Sequence, residues 1–345
     1  MVFIIDIEKR DNLCKTIQLH HGDGGIHTDK LIKEVFYRYF QNPILLKGRD
    51  AAILDVDKGR LAYTTDSFVV NPLFFEGGNI GTLAACGTIN DLTVSGANPL
   101  YLSTGFIIEE GFLMDELEQI VCSMQEVCSK SNTLIVTGDT KVVDKGSIDG
   151  IFINTSGVGS IYDNYHPDSI RVGDEIIITG GIGEHGTAIA VERYELNVQG
   201  KIKSDCDSLY NILIGIKEFL PHIKVMKDPT RGGMATSLNE ISEEQGIGIL
   251  LEEDNILISD EVKGVTEILG LDPYYLTCEG RMILIVEEGY GDKITEIISK
   301  EDNGKDARLI GRVVDYAKGK VCVRTSIGGK RRLYALSNSM LPRIC

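Results

Sequence analysis

Apolar and polar positions along this chain follow two different periods, and the two periods take turns. Period two marks half-buried strands, and period 3.6 marks amphipathic helices. From Asp50 to Thr65 the alternation predicts two strands around Asp57-Lys58-Gly59. The stretch Ile80–Ser95 carries small or apolar residues on nearly every face, which predicts a buried helix packed closely on a neighbour. A strand at Tyr101–Ile108 follows, then an amphipathic helix with Leu117, Ile120, Val121, Met124, Val127 and Cys128 in its stripe. Strands at Thr133–Thr137 and Gly150–Asn154 close the first half, and His166-Pro167 with Val172-Gly173-Asp174 reads as a joint. The second half has a strand at Glu175–Thr179 and a helix from Thr187. Another helix follows Asp228-Pro229-Thr230-Arg231-Gly232-Gly233, and then come strands at Arg281–Val286, Leu309–Val314 and Val321–Arg324. Alternating strands and helices predict two α/β domains, at 46–165 and 166–325. Ahead of them, residues 1–45 hold a glycine-rich patch, from His21 to Thr28, and helical spacing at Leu31, Ile32, Val35, Phe36 and Tyr39. The patch suits either a backbone cradle for phosphates or a loose entry loop.

A length of 345 residues accommodates two such domains, each with its own core. The net charge of −16 argues against nucleic-acid binding and against anionic membranes as partners. No apolar run reaches the roughly 18 residues of a membrane span. The opening Met1-Val2-Phe3-Ile4-Ile5-Asp6 is too short for a secretory signal. Eight cysteines contain no C-x-x-C pair, so neither a zinc ribbon nor a disulfide framework is expected, and a reducing, cytoplasmic location is.

One of those cysteines is the final residue, Cys345. It follows Gly328-Gly329 and a run containing Lys330, Arg331, Arg332 and Arg343 with no acidic residue. Gly-Gly permits a joint. The sixteen residues beyond it span about 50 Å when extended. A mobile arm, 326–345, ending in a nucleophile is therefore expected. Asp50, Asp66, Asp91 and Asp139 each sit beside an apolar strand or within an apolar helix, with few Lys or Arg near them in sequence. Uncompensated carboxylates suit Mg²⁺, which usually accompanies nucleotide phosphates. Asp228 to Gly233 has the form of a helix start, where Arg231 and the glycines would meet an anion. Gly181-Ile182-Gly183-Glu184-His185-Gly186 matches a dinucleotide pattern without its context, and His185 reads there as a turn histidine. Lys141 follows Asp139 by two residues, so on a strand both point to one side. Glu279 stands just before a strand.

Together these motifs resemble a known family. Thr64 to Val70, Asn71 to Gly78, Gly87 to Leu92, Gly138 to Val143, Asp228 to Gly233 and the terminal Pro342-Arg343-Ile344-Cys345 resemble the HypE family of hydrogenase maturation factors, in order, from about His20 to the end. That family lies in the superfamily of aminoimidazole ribonucleotide synthetase and selenophosphate synthetase. The resemblance implies a two-domain α/β fold whose N-terminal domains join into a β-barrel in a homodimer. It implies that Cys345 receives a carbamoyl group from a HypF-type partner, that ATP with Mg²⁺ dehydrates it to a thiocyanate, and that the cyanide passes to a HypC–HypD complex for [NiFe] hydrogenase. It implies Glu279 as general base and Lys141 as charge stabiliser or relay. Metal ligands are implied at Asp50, Asp66, Asp91 and Asp228. Nucleotide contacts are implied at Asp66, Asp91, Thr137, Gly138, Asp139, Asn154, Arg231 and Gly232. Arg49-Asp50 departs from the paired acids of many superfamily members, which leaves the metal count open. A small-molecule kinase or synthetase of the same superfamily would keep the aspartates without needing Cys345. A non-catalytic thiol carrier would need only the tail.

Overall fold

The alternation that predicted a hairpin is realised as two antiparallel strands, Ala52 opposite Tyr63 and Val56 opposite Gly59. The computed structural model describes residues 25–31, 52–56, 59–167, 169–198, 200, 202–337, 341 and 343–345. A short helix α1 (Ile26–Leu31) precedes the hairpin. The rest of the glycine-rich patch and of the helix expected after Leu31 lies outside the described residues.

The hairpin strands are β1 (Ala52–Val56) and β2 (Gly59–Phe68). After the short pair β3 (Phe74–Phe75) and β4 (Gly78–Asn79) comes helix α2 (Ile80–Val94). Then follow β5 (Ala97–Glu109), α3 (Met114–Lys130), β6 (Leu134–Val143) and β7 (Ile151–Ile161). The strands form one sheet in the order β1-β2-β7-β5-β6, with only β5 and β6 parallel. Ala62, Thr64 and Phe68 of β2, and Leu102, Thr104 and Ile108 of β5, are buried beneath the helices. Their sequence neighbours Tyr63, Tyr101 and Ile107 are exposed on the other face. Helix α2 is buried on almost every side, as its composition predicted. Its Gly81 sits against the Ile120 carbonyl of α3, where a β-carbon would clash. Among the described residues this sheet is open at both edges and closes into no barrel. Strand β6 runs well past the expected end at Thr137, so Gly138-Asp139-Thr140-Lys141 lies inside an edge strand.

The second domain opens with β8 (Glu175–Ile178) and α4 (Glu184–Arg193). It continues through α5 (Tyr210–Ile216), β9 (Ile223–Lys227), α6 (Gly233–Gln245) and β10 (Gly248–Glu252). Next are α7 (Asp260–Leu269), β11 (Ile283–Val286), α8 (Gly291–Ile298), β12 (Arg308–Val314), β13 (Lys320–Arg324) and β14 (Lys330–Leu333). The sheet order is β14-β13-β10-β12-β8-β11-β9. Strand β11 is apolar at every position because both of its faces are covered. Leu284 and Val286 join a core with Ile212 and Leu213 of α5 and Ile294 of α8. Ile283 and Ile285 join another with Met234 and Leu238 of α6. The first of these cores also takes in Leu92 and Val94 of α2, so the two domains share apolar packing.

Gly328-Gly329 is not a joint. Thr325 N–H donates to the Gly329 carbonyl and Gly328 N–H to the Thr325 carbonyl, both at 2.8 Å, closing a hairpin turn. Gly328 has φ +85°, a conformation glycine adopts without strain. Strand β14 then pairs with β13, Leu333 opposite Val321, and Leu333 is buried. The segment expected as a mobile arm is therefore held in the sheet as far as Leu333.

Candidate active site

A cleft of about 230 Å³ lies where the domains meet. Asp66 and Asp91 line it from the first domain, and Asp228, Arg231 and Glu279 from the second. Cys345 lines it too, from the chain's own end.

Each side chain is placed by its element. Asp66 lies between Thr64 and Phe68 in the helix-facing series of β2. Asp91 is one turn after Gly87, where a β-carbon would press on the Phe68 ring at 2.9 Å. The absence of that carbon lets α2 lie close to β2, and Thr64 Oγ1 donates to Asp91 Oδ2 at 2.6 Å. The preceding residue, Asn90, donates to the carbonyls of Asp207 (3.0 Å) and Glu279 (3.1 Å) and accepts from Leu209 N–H (2.8 Å). Asp228 follows β9. Gly232 stands at the N-cap of α6 with φ +80°, so the turn that carries Arg231 is left-handed there.

Glu279 is buried, and its Oε1 has no hydrogen-bond partner. Burial, then the neighbouring Asp228, Asp205 and Asp66, pushes its carboxyl well above the usual glutamate range, against the opposing pull of Arg231. Arg231 is itself held in the charged form, most of all by Cys345 and next by Asp66, Glu279 and Asp91, in spite of burial. The carboxylates are therefore not uncompensated. The cation that serves them is remote in sequence and close in space.

The tail is seated on the first domain by its backbone. Val69 N–H donates to a terminal carboxylate oxygen of Cys345 at 3.3 Å, and Asn71 N–H to the Arg343 carbonyl at 3.2 Å. Arg193 of α4 donates to the carbonyls of Asn71 and Arg343, both at 2.6 Å. The Arg343 side chain reaches back to the Val69 carbonyl (3.1 Å) and to Asp149 (2.7 Å). Ile344 and Leu341 are buried in the same core as Phe68 and Ile89. His185 is not a turn histidine. It lies in the first turn of α4, fully buried, 2.8 Å from the Ile344 carbonyl. No sequence signal marked His185, Arg193 or Asp149, because their partners are main-chain carbonyls or a side chain far along the chain.

Other expected site residues lie elsewhere. Asp50 is outside the described residues. Across the open face of the first sheet, Ser67 pairs with Asn154, Asn154 with Gly105, and Gly105 with Asp139. Asn154 donates to the Asp66 carbonyl at 2.7 Å and to Ser67 Oγ at 3.0 Å, so it is one peptide from the cleft but on the opposite side. Thr137 and Gly138 pair with Ser103 and Thr104 on edge strand β6. Asp139 and Lys141 do share a side, as their spacing predicted, and form an exposed ion pair at 3.1 Å. Neither lines the cleft. Among the described residues no three His, Cys, Asp or Glu side chains come together as a metal-binding group. The described cysteines are all free, and no described helix is long and apolar enough to cross a membrane.

This geometry has close relatives. Residues 48–161 match the model of the AIR synthase related protein N-terminal domain, and 171–324 that of its C-terminal domain. The carbamoyl dehydratase HypE of Escherichia coli (strain K12) is 42% identical over 336 residues, 95% of this chain and 99% of that protein. That of Rhizobium leguminosarum bv. viciae is 43% identical over 332 residues, 95% of each. A crystal structure of HypE in complex with ATP superposes with a TM-score of 0.80 at 42% identity, covering 96% of this chain and all of that one. A HypE–HypF complex gives 0.84 at 42% identity, covering 89% and 99%. A thiamine monophosphate kinase from Aquifex aeolicus, at 15% identity and a TM-score of 0.64, shares the fold alone. The chain belongs to the HypE carbamoyl dehydratase family of hydrogenase maturation proteins, built on the two AIR synthase related domains.

Proposed function

We propose that this protein dehydrates a carbamoyl group carried on its own Cys345, using ATP. The observation that carries this reading is the position of Cys345, which shares one cleft with Glu279, Arg231 and three aspartates. The thiocarbamate R–S–CO–NH₂ first gives up an N–H proton while its oxygen takes the γ-phosphoryl group, releasing ADP. The imidate R–S–C(=NH)–OPO₃²⁻ then loses its second N–H proton and phosphate, leaving R–S–C≡N. Phosphorylation is needed because an amide oxygen leaves poorly by itself.

Glu279 is the base in this scheme. Its raised proton affinity makes the ionised carboxylate a stronger base, and its unpartnered Oε1 is available to a substrate N–H. Arg231, which lines the cleft with Cys345, counters charge on a phosphoryl group. Asp66, Asp91 and Asp228 supply the hard oxygen donors that fit Mg²⁺, which would neutralise phosphate charge. Because the described residues form no ready-made metal group, water or phosphate oxygens would complete such an ion's shell. The Gly232-Gly233 turn at the start of α6 suits phosphate contacts.

A HypF-type carbamoyltransferase supplies the carbamoyl group, and a HypC–HypD complex takes the cyanide, in the cytoplasm. We further assign a homodimer joined through the open sheet face, where Tyr63, Tyr101 and Ile107 are exposed. That arrangement leaves Asp139, Lys141 and Asn154 at the interface and puts Lys141, as charge stabiliser or relay, in reach of a second copy only.

Intact mass tests this reading. Incubation with the carbamoyl donor system and ATP should add one carbamoyl group and then remove one water. Transfer of phosphate to a free small molecule, with the mass of the chain unchanged, would favour the kinase reading. Carbamoyl gain with no later water loss would favour the carrier.

A further inference from the structure

Three consecutive main-chain acceptors of the tail are held: the carbonyls of Arg343 and Ile344 and the terminal carboxylate of Cys345. Those of Arg343 and Cys345 meet the backbone N–H groups of Asn71 and Val69, which no ordinary substitution removes. The carbonyl of Ile344, next to the reactive residue, takes its hydrogen bond from the His185 ring. A carbonyl only accepts, so His185 Nε2 carries the proton. Nδ1 then accepts from Ser204 Oγ–H at 2.8 Å, and Ser204 Oγ accepts from Cys206 N–H at 3.0 Å. Every polar atom of the ring is thus committed in one direction. The ring is also fixed in plane: Phe75 meets it edge-on, with centroids 5.4 Å apart and an interplanar angle of 86°. At the other end of the residue, His185 N–H donates to Asp205 Oδ1 at 3.0 Å.

We propose that His185 is a positioning residue, a latch on the reactive tail that keeps Cys345 in the cleft for dehydration and must let go for carbamoyl loading. The parts in dehydration and loading rest on the function proposed above; the hold on Cys345 in the cleft does not. Burial disfavours the imidazolium form, so the ring is neutral with the tautomer the latch needs. The latch grips backbone, so it acts on whatever is attached to Cys345 without touching it. It therefore differs from Glu279 and Arg231, which face the reacting group. Loosening it should move the two halves of the cycle in opposite directions, because one needs the tail in and the other needs it out. Loss of fold or of a catalytic group would slow both.

The test uses the full-length chain as His185→Leu and His185→Gln. Glutamine keeps a donor near the position of Nε2, and leucine does not. With no nucleotide or partner present, iodoacetamide alkylation of Cys345 is followed by mass spectrometry of the C-terminal peptide. Leucine should raise the rate about fivefold, the effect of one net hydrogen bond, and glutamine should return it toward wild type. With the carbamoyl donor and ATP, leucine should load at least as fast as wild type and lose water about fivefold more slowly. A folded leucine variant with unchanged alkylation overturns the proposal, as do loading and water loss that fall together. If leucine does not fold, Ser204→Ala replaces it: the ring stays but Nδ1 loses its donor. Alkylation should then rise about twofold, and an unchanged rate overturns the latch. Alkylation that responds as stated in a protein that never loses water keeps the latch and rejects the functional reading.

Discussion

Asn90 of the buried helix α2 donates a hydrogen bond to the main-chain carbonyl of Glu279, 3.1 Å away in the other domain. The next residue, Asp91, lines the cleft into which Glu279 also faces. One turn of helix thus sets an acid of the first domain against the buried carboxyl of the second. Asn90 makes three hydrogen bonds, to Asp207, Glu279 and Leu209. Asn90→Ala should cost about 2–4 kcal/mol, because it also orphans buried groups. The melting temperature should fall, and the lost stability should not return on adding salt.

Glu279→Gln should abolish water loss from the carbamoylated chain, by about 10²-fold or more, while ATP still binds. It should also change stability in a set direction. The folded-state pKa of Glu279 is raised above the ordinary value of 4.5, so the folded chain holds a proton that the unfolded chain gives up. The resulting destabilisation is absent below pH 4.5 and grows as pH climbs toward the folded pKa. Glutamine removes it. Urea melts at mildly acidic and mildly alkaline pH should show the variant gaining on wild type as pH rises. A constant difference would mean Glu279 is ionised in the native state.

Asp91→Asn keeps an oxygen to accept from Thr64, so its cost in stability should be small. Carbamoyl loading of Cys345 should persist, and ATP-dependent water loss should fall by roughly 10² or more. Intact mass would show the carbamoylated species accumulating. Rapid conversion to the dehydrated mass would remove Asp91 from the nucleotide chemistry.

The Arg343–Asp149 pair is partly exposed, with the aspartate 65% accessible. Asp149→Asn should cost under about 1 kcal/mol. Its effect on Cys345 alkylation should be visible at low salt and fade near 0.5 M, where the screening length is only a few ångströms. An effect of equal size at both salt concentrations would point to a role other than charge.

Much of this was legible in the residues. The small or apolar residues on nearly every face of Ile80–Ser95 announced a buried helix. Asp66, Asp91, Asp228, Arg231 and Glu279, chosen from separate segments, do come to one cleft. What was not legible depended on which face a strand presents or on contacts with the main chain. Asp139 and Lys141 lie on an edge strand whose register turns them to the open face, and nothing in Gly138-Asp139-Thr140-Lys141 states where that strand ends. Gly328-Gly329 permits a joint or a tight turn equally well; pairing of β13 with β14 decided for the turn. His185 grips a carbonyl, and a carbonyl belongs to every residue, so no motif could pair it with Ile344.

Because β14 is zipped into the sheet up to Leu333, the leash on the sulfur is shorter than the glycines suggested. Twelve residues follow Leu333, and fully stretched they reach about 40 Å. Under the proposed function, a centre that receives the cyanide must come within that radius of Leu333, so delivery would depend on how near the docking site of a visiting protein lies to the rim of the second domain.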